Sequence, residues 1–368
     1  MQIITRPLAA ILTAAVLVLA ACGDDEADDA AVAAATSTST TGAGAGDAAA
    51  EVTSTTAPPT TSPPTTTTEA TDEPIELTVG VPFGVVQLAA LGGLSTDAEL
   101  AAVATVEELP ITAPDQLRTG FVAGDLDVAI VPTNIAATLF TRGVDVRILS
   151  IVDAQLLQVL GPAGSSWSDL AGAVVDIPFP GDIADLVFSD LASRNGVDLA
   201  SVDVRYGTAL PDLVGAAASG NVTFAVLPEH FATAAVGQAM ANGHDLAPII
   251  DLQVAWGDAT GGDRLPQVAL IATGAVVDEH PAVIEALRSS VASSISTVTS
   301  DTEAAATTLA DATGLPMPLL SALLPQLDLA TRSSVEARAD LDLLFAGLVE
   351  LTPEAVGGAL PDDTLFAP

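Results

Sequence analysis

The chain has 368 residues and carries 47 acidic but only 10 basic residues, which gives a formal net charge of −37. Every basic residue is an arginine, so no lysine-rich patch can neutralise phosphates, which argues against charge-driven binding to nucleic acid or to an anionic membrane surface. The single cysteine, Cys22, excludes an intramolecular disulfide and any metal or thiol site built on several cysteines.

Residues 1–21 have the features of a secretory signal peptide. Arg6 precedes a mostly apolar stretch that is shorter than the roughly 20 apolar residues of a stable membrane span. The stretch ends in Leu-Ala-Ala-Cys at 19–22, which resembles the lipobox of bacterial lipoproteins. The resemblance implies acylation of Cys22, for example by palmitate, and anchoring to the extracytoplasmic face of the cell membrane. The alternative is an ordinary signal peptide followed by a cysteine without this role.

Residues 22–73 are rich in Thr, Pro, Ala, Ser and acidic residues. A segment of this composition buries too little apolar surface to offset its chain entropy. Its prolines favour extended conformations. The sequence therefore predicts a disordered linker that holds the folded part away from the membrane.

Beyond residue 73, β-branched runs alternate with segments rich in Ala and Leu. The first series predicts strands at 75–81, 101–106, 127–131 and 144–152, and helices at 85–92, from Pro114 and from near Thr133. Strands separated by helices of this length favour parallel βαβ units over an antiparallel sandwich.

A glycine-rich break at 161–164 separates a second series with the same alternation. This series predicts strands at 173–177, 202–206 and 223–227, and helices at 182–194, 211–219 and from about Glu229. The repetition predicts two similar α/β lobes, with the first part of lobe 1 at 74–160 and lobe 2 at 161–252. Ligands of open α/β sheets bind outside the carboxyl ends of the strands, so we expect a ligand cleft between the lobes.

Residues 253–368 differ because they are almost entirely helical after one strand. The predicted strand is 267–272, and the predicted helices are 281–298, 302–312, 318–324 and 333–348. Val283, Leu287 and Val291 recur at helical spacing, which indicates one buried face. We interpret this region as the return crossover and the C-terminal part of lobe 1, with its helices packed on that lobe.

Several segments carry a family resemblance in a consistent order along the chain. They are GDLDVAIVPTN at 124–134, WSDLAG at 167–172, PGD at 180–182, AVLPEHFAT at 225–233 and VGGALPDD at 356–363. These segments resemble the ABC-transporter solute-binding proteins of the nitrate, sulfonate, taurine and thiamine-precursor type, which usually have Pro where this chain has His230. The resemblance implies a two-lobed type II periplasmic-binding-protein fold that closes over a small solute and passes it to an ABC permease. It leaves the solute open, because members bind oxyanions, aliphatic sulfonates, aromatic carboxylates or pyrimidines.

Three turns that follow predicted strands and open predicted helices supply candidate solute contacts. The candidates in these turns are Phe83, Gly84, Thr133, Asn134, Gly181 and Asp182. Backbone N–H groups at helix starts can hold an anion without a basic side chain, Phe83 offers an aromatic wall, and Gly84 permits close approach of the backbone. Thr133 and Asp182 are also good N-cap residues, so a purely structural role explains them equally well.

Glu229, Trp256 and Arg264 complete the set of candidate ligand-binding residues. An acid at Glu229 suits a solute with an amine or amidine donor, although a first-turn acid also interacts favourably with the helix dipole. Trp256 and Arg264 lie in a segment that we interpret as a flexible crossing loop between the lobes. There the indole could stack on a planar solute and the guanidinium could pair a carboxylate or sulfonate. A core Trp and a surface Arg are the open alternative.

These observations predict an extracytoplasmic, monomeric solute-binding protein for a small anionic or planar heteroaromatic solute, without cofactor, metal or catalytic residues. A sensor that presents the solute to a membrane receptor is an alternative. The rival class is an enzyme related to the pyrimidine synthase of thiamine biosynthesis or to a menaquinone-pathway dehydratase. The synthase depends on a cysteine-rich motif that this chain lacks, and His230, His244 and His280 show no ligand spacing.

Overall fold

The computed structural model describes residues 73–82, 86, 90, 92, 94–155, 157–207, 209–313 and 315–368. The predicted signal peptide, Cys22 and the linker lie outside these residues, and so do Phe83 and Gly84. None of the helices in the described ranges is both long enough and apolar enough to cross a membrane.

Six strands form the first sheet. They are β1 (Ile75–Pro82), β2 (Ala104–Ile111), β3 (Val128–Pro132), β4 (Val146–Asp153), β10 (Val268–Thr273) and β11 (Ala330–Ser333). Their order is β11-β4-β10-β3-β1-β2. β1 pairs in parallel with β2 and β3, whereas β10 runs antiparallel to β3 and β4. The carboxyl ends of β1 to β4 therefore share one edge of the sheet with the amino end of β10.

Five strands form the second sheet. They are β5 (Leu157–Gly161), β6 (Val174–Ile177), β7 (Asp203–Tyr206), β8 (Phe224–Pro228) and β9 (Ala247–Asp251). Their order is β7-β6-β8-β5-β9. β6 is parallel to β7 and β8, and β5 is antiparallel to β8 and β9. Each sheet thus combines the predicted parallel βαβ units with antiparallel strands that follow the crossings between the sheets.

The helices cover the faces of the sheets. They are α1 (Ala98–Ala101), α2 (Pro114–Ala123), α3 (Thr133–Thr141), α4 (Ile183–Arg194), α5 (Leu210–Ala218), α6 (Glu229–Ala241), α7 (Leu252–Thr260), α8 (Gly274–Glu279), α9 (Pro281–Ser300), α10 (Thr302–Thr313), α11 (Met317–Leu323) and α12 (Arg338–Leu351). Short side chains fix several of their ends. Asp182 caps α4 by accepting from the Ile183 N–H at 2.8 Å, and Gly124 ends α2 with a φ of 78°, which favours glycine.

Of the three apolar clusters in the described residues, one lies within the second lobe and the other two bear on how the sheets are covered and joined. One of these two lies under the first sheet and includes Leu77, Leu149 and Leu287, because α9 packs against β4 and β11. The other includes Ile135 beside the first sheet and Phe188 beside the second, so it joins the two lobes. The C-terminal helices therefore pack on the first lobe as predicted, while α12 also packs against α4 and α11 against α6 of the second lobe.

The predicted fold class is confirmed, and the differences concern short elements. β2 continues to Ile111 through Pro110, which an edge strand tolerates because its N–H side faces no partner. β4, which covers most of the predicted strand 144–152, ends at Asp153 and is followed after three residues by a separate strand, β5, which already belongs to the second sheet. The chain therefore changes sheet before the predicted boundary at 160 and 161.

Candidate functional site

The carboxyl edges of the two sheets face each other across two connections. The first runs from Asp153 at the end of β4 to Leu157 at the start of β5, four residue steps that span at most about 14 Å. The second leaves β9 at Asp251 and returns to β10 at Val268 through α7. The residues that follow β3, β6 and β8 consequently border one cleft, as the topology of open α/β sheets requires.

Thr133, Asn134 and Gln267 form the first-sheet side of this cleft. Thr133 is fully buried, its Oγ1 donates to the Pro266 carbonyl at 2.8 Å, and its N–H donates to the Gln267 carbonyl at 3.0 Å. Asn134 and Gln267 are each 2% exposed. The Oδ1 of Asn134 and both amide atoms of Gln267 have no hydrogen-bond partner in the described structure.

Gln267 faces the side of the sheet that carries α3. Side chains alternate along a strand, so Gln267 shares a face with Ala269 and Ile271. Those two residues belong to the apolar cluster that also contains Ile135 of α3 and Phe188 of the second lobe. The Gln267 amide therefore lies at the cleft edge of the first sheet, on the face that is shared by both lobes, and Asn134 follows Thr133 at the start of α3 on the same edge.

Glu229 lies on the second-sheet side with Gln158 and Asp251. It is the first residue of α6, is 8% exposed, and accepts a hydrogen bond from Thr233 Oγ1 at 2.8 Å. Gln158 Nε2 donates to Asp251 Oδ2 at 3.1 Å. Burial raises the pKa of Glu229, and the charge of Asp251 raises it further. This side of the cleft is acidic.

The turn before α4 brings Gly181 and Asp182 to the same edge. Gly181 has a φ of 69°, and its N–H donates to Asp185 Oδ2 at 2.8 Å. The same oxygen of Asp185 also accepts a hydrogen bond from the Tyr206 hydroxyl at 3.1 Å. Burial raises the pKa of Asp182, while the charge of Arg118 on α2 of the first lobe lowers it. Burial and the neighbouring Asp185 raise the pKa of Tyr206 to about 12. The N–H groups of Gly181 and Ile183 are thus occupied by the protein's own carboxylates.

His230 follows Glu229 at the start of α6. Its ring lies 4.3 Å from the Phe231 ring, centroid to centroid. Burial lowers the pKa of His230 to about 4, so the imidazole is neutral at physiological pH. At this position the chain therefore presents a neutral aromatic ring instead of the proline that the resemblance led us to expect.

The segment that carries Trp256 and Arg264 crosses between the sheets as interpreted, and Arg264 lies in the loop between α7 and β10, but the loop assignment of Trp256 was wrong. Trp256 lies on α7, which Asp251 caps by accepting from the Gln253 and Val254 N–H groups. The indole is 0% exposed and belongs to the cluster that joins the lobes, so it has no free face for stacking. Arg264 pairs with Asp328 at 2.6 Å, which leaves its guanidinium already engaged.

A buried ion network lies beside the cleft at the crossings. Arg332 of β11 donates to both oxygens of Asp153, at 2.7 and 2.9 Å, and to Asp340 of α12 at 2.7 Å. Asp340 also accepts from the backbone N–H groups of Asp263 and Arg264. Burial raises the pKa of Asp153, and Arg332 opposes this rise. The network ties together the end of β4, the return crossing and the C-terminal helix.

Few cationic side chains reach the cleft. Within the described ranges, Arg147, Arg194, Arg205, Arg264, Arg332 and Arg338 each pair with aspartates. Arg288 donates to the carbonyls of Leu149 and Ala367. Arg142 is the C-cap residue at the far end of α3, where its backbone N–H donates to helix carbonyls. Arg118 influences Asp182, but it pairs with Asp115 at 3.0 Å. No described group of three or more His, Cys, Asp or Glu residues is arranged to hold a metal ion.

Comparison with known proteins identifies relatives by structure alone. No family model and no curated protein matches the sequence. An ABC transporter structure from Parabacteroides distasonis matches with a TM-score of 0.65 and 17% identity, covering 80% of this chain and 99% of that chain. The periplasmic aliphatic sulphonate-binding protein of Escherichia coli matches with a TM-score of 0.63 and 16% identity, covering 78% of this chain and 96% of that chain.

The periplasmic nitrate-binding protein of Synechocystis is a further structural match. Its TM-score is 0.57 at 13% identity, and the match covers 76% of this chain and 82% of that chain. These likenesses confirm the two-lobed periplasmic-binding-protein fold and agree with the resemblance drawn from the sequence. At this level of identity they establish the fold and leave the solute open.

Proposed function

We propose that this protein captures a small solute between its two lobes outside the cytoplasm and delivers it to an ABC importer. The observation that carries the proposal is a two-lobed fold whose facing sheet edges are polar and carry buried amide atoms without partners in the described structure. Fold relatives that bind sulphonate or nitrate support the same role. The proposed lobes are 74–160 with 253–368, and 161–252, except that the pairing of β5 assigns residues 157–160 to the second sheet.

The proposed contacts are Thr133, Asn134, Gly181, Asp182 and Glu229, together with Gln267. All of them border the cleft edge of one sheet or the other. Phe83 and Gly84 stay predictions, because they lie outside the described residues. Trp256 and Arg264 are left out of the proposed site because the protein itself already occupies the indole surface and the guanidinium.

Solute capture predicts closure of the two lobes. A ligand that contacts both sheet edges binds the closed state better and shifts the hinge equilibrium toward it. A thermal-shift screen of the purified full-length protein against small anions, amides and heteroaromatic compounds tests binding, since a ligand at 100 times its Kd adds about 2.7 kcal/mol. Small-angle scattering with a hit should show a smaller radius of gyration. A hit that leaves the radius unchanged would contradict capture by closure.

Membrane anchoring through Cys22 is part of the same proposal. The basis is the lipobox-like motif at 19–22, because the acyl chains would hold the protein beside its permease. Changing Cys22 to Ser should release the protein from the membrane fraction or leave an unprocessed precursor. Metabolic labelling with a palmitate analogue and fractionation measure this. A processed, membrane-bound Ser variant would refute the anchor.

A further inference from the structure

We propose that the site recognises an uncharged solute through an amide- or urea-type group, with a carbonyl acceptor beside an N–H donor, and that it discriminates against oxyanions. This inference rests on the proposed function and names the class of solute. It separates this chain from structural neighbours described as sulphonate- and nitrate-binding.

The first observation is the pair of amide side chains at the cleft edge of the first sheet. Gln267 offers one unpartnered donor and one unpartnered acceptor, and Asn134 adds an unpartnered acceptor. Leaving such groups buried without partners costs about 1–3 kcal/mol each. A neutral ligand group with both a donor and an acceptor would satisfy them, whereas an oxyanion, which only accepts, would leave both acceptors facing its charge.

The second observation concerns the helix starts that could hold an anion. At α4, Asp182 accepts from the Ile183 N–H and Asp185 accepts from the Gly181 N–H. Glu229 places its own carboxylate in the first turn of α6. A resident acid therefore already lies at the positive end of each of these two helices, which reduces their attraction for an incoming anion, although no side chain of the described residues accepts from the first N–H groups of α6.

The third observation is the local charge. The acids that border the cleft are Asp182, Glu229 and Asp251. Of these, Asp182 is close enough to Arg118 for the charge of the guanidinium to lower its pKa. Arg118 is already paired with Asp115. An anion entering the cleft would meet net negative charge in a partly desolvated space, where repulsion is stronger than in bulk water. An N–H donor on a neutral solute would instead find carboxylate acceptors on the second-lobe side.

Matched ligand pairs test the inference directly. Benzamide against benzoate, and ethanesulfonamide against ethanesulfonate, differ mainly in the charge of the polar group. Titration calorimetry on the purified full-length protein at low salt should show tighter binding of the uncharged member in at least one pair, by about tenfold or more. Tighter binding of the anions, or of nitrate, would overturn the inference while supporting solute capture. Binding by neither member of either pair would count against the amide pair as the recognition element.

Variants of the amide pair supply a second readout that needs no ligand. Gln267→Met and Asn134→Leu remove unpartnered polar atoms, so they should leave the melting temperature unchanged or raise it, and they should weaken binding of the uncharged probe by about tenfold. Gln158→Met is the matched control, since its amide donates to Asp251 and its loss should lower the melting temperature. A drop for Gln267→Met as large as that for Gln158→Met would show that the Gln267 amide is structural and would overturn the inference.

Discussion

Two buried polar side chains lie next to each other on the carboxyl edge of the first sheet, and their hydrogen bonding differs completely. Asp153 ends β4, and both of its oxygens accept hydrogen bonds from Arg332. Gln267 precedes β10, and neither atom of its amide has a partner. Val268 pairs with Val152 in the ladder, so one further residue brings Gln267 opposite Asp153. The two side chains are therefore buried to a similar extent, but the Asp153 carboxylate has hydrogen-bond partners and the Gln267 amide has none among the described residues.

The difference separates a structural role from a binding role. Burying a charge is costly unless it is paired and hydrogen-bonded, and the Asp153–Arg332–Asp340 network meets that condition. An amide without partners lowers stability, and natural proteins keep such local conflicts mainly at functional sites. We infer that the network holds the crossings in place, whereas the neighbouring amide is kept for the solute.

Breaking the satisfied network should give the largest effect. Arg332→Met leaves Asp153 and Asp340 buried without a cation and should lower the free energy of unfolding by about 3–5 kcal/mol at pH 7. Urea unfolding followed by circular dichroism measures the loss. The loss should shrink at acidic pH, where protonation removes the unpaired charge of Asp153, whose pKa is raised by burial.

A neutral replacement of the whole network is the control for this prediction. The triple variant Asp153→Asn, Arg332→Met, Asp340→Asn removes every charge, so it should recover much of the stability that Arg332→Met loses. If the triple variant is as unstable as the single one, shape and packing at Arg332, and not its charge, hold the crossings.

A pH titration sharpens the comparison at the opposite edge of the cleft, where His230 is half-buried and forms no salt bridge within the described residues. Its pKa is lowered from 6.5 to about 4, so the folded state binds fewer protons than the unfolded state between these values. Neutral His230 therefore contributes to the free energy of unfolding. This contribution is fully present above pH 6.5 and is lost as the pH falls toward 4, by on the order of 1–3 kcal/mol. His230→Leu should flatten this part of the profile. Parallel wild-type and His230→Leu profiles would contradict the prediction.

The sequence was sufficient for the order of most elements and for the turns that border the cleft. Thr133, Asp182 and Glu229 all lie at strand-to-helix turns as predicted, because β-branched strands and capped helix starts are local signals. Short strands were missed. β5 merged with the apolar run before it, and β11, with the sequence ATRS, has almost no apolar residue.

The composition of the site depended on long-range pairing, which the sequence does not reveal. Gln267 joins Thr133 only because β10 runs antiparallel to β3, across more than 130 residues of chain. Trp256 was assigned to a flexible crossing loop, yet the Asp251 cap starts a helix there and Gly261 ends it.

Removing one buried hydrogen bond between neutral groups should lower the free energy of unfolding less than breaking the Arg332 network or protonating His230. Thr133→Val deletes the bond from Thr133 Oγ1 to the Pro266 carbonyl, both in a fully buried setting, and should lower the free energy of unfolding by about 1 kcal/mol. Thr133→Ser keeps the hydroxyl and serves as control for that bond. Unchanged stability of Thr133→Val would contradict the prediction, and a loss confined to Thr133→Ser would show that the γ-methyl group matters more than the hydrogen bond.

Arg338 offers the smallest effect and the sharpest contrast with Arg332. Like Arg332 it contacts two aspartates, Asp342 at 2.8 Å and Asp363 at 2.7 Å, but these partners are 56% and 88% exposed. Exposed pairs are worth about 0–1 kcal/mol because water screens them and two long side chains lose freedom. Arg338→Met, the same substitution as at Arg332, should therefore lower the free energy of unfolding by at most about 1 kcal/mol. The electrostatic part of this loss should vanish in 1 M salt, where screening acts within about 3 Å.

Because Arg338 also stacks over Phe366 at 4.1 Å, any loss that persists in high salt measures that contact. A loss as large as that of Arg332→Met would mean that the number of aspartate partners, and not their burial, sets the stability of these networks.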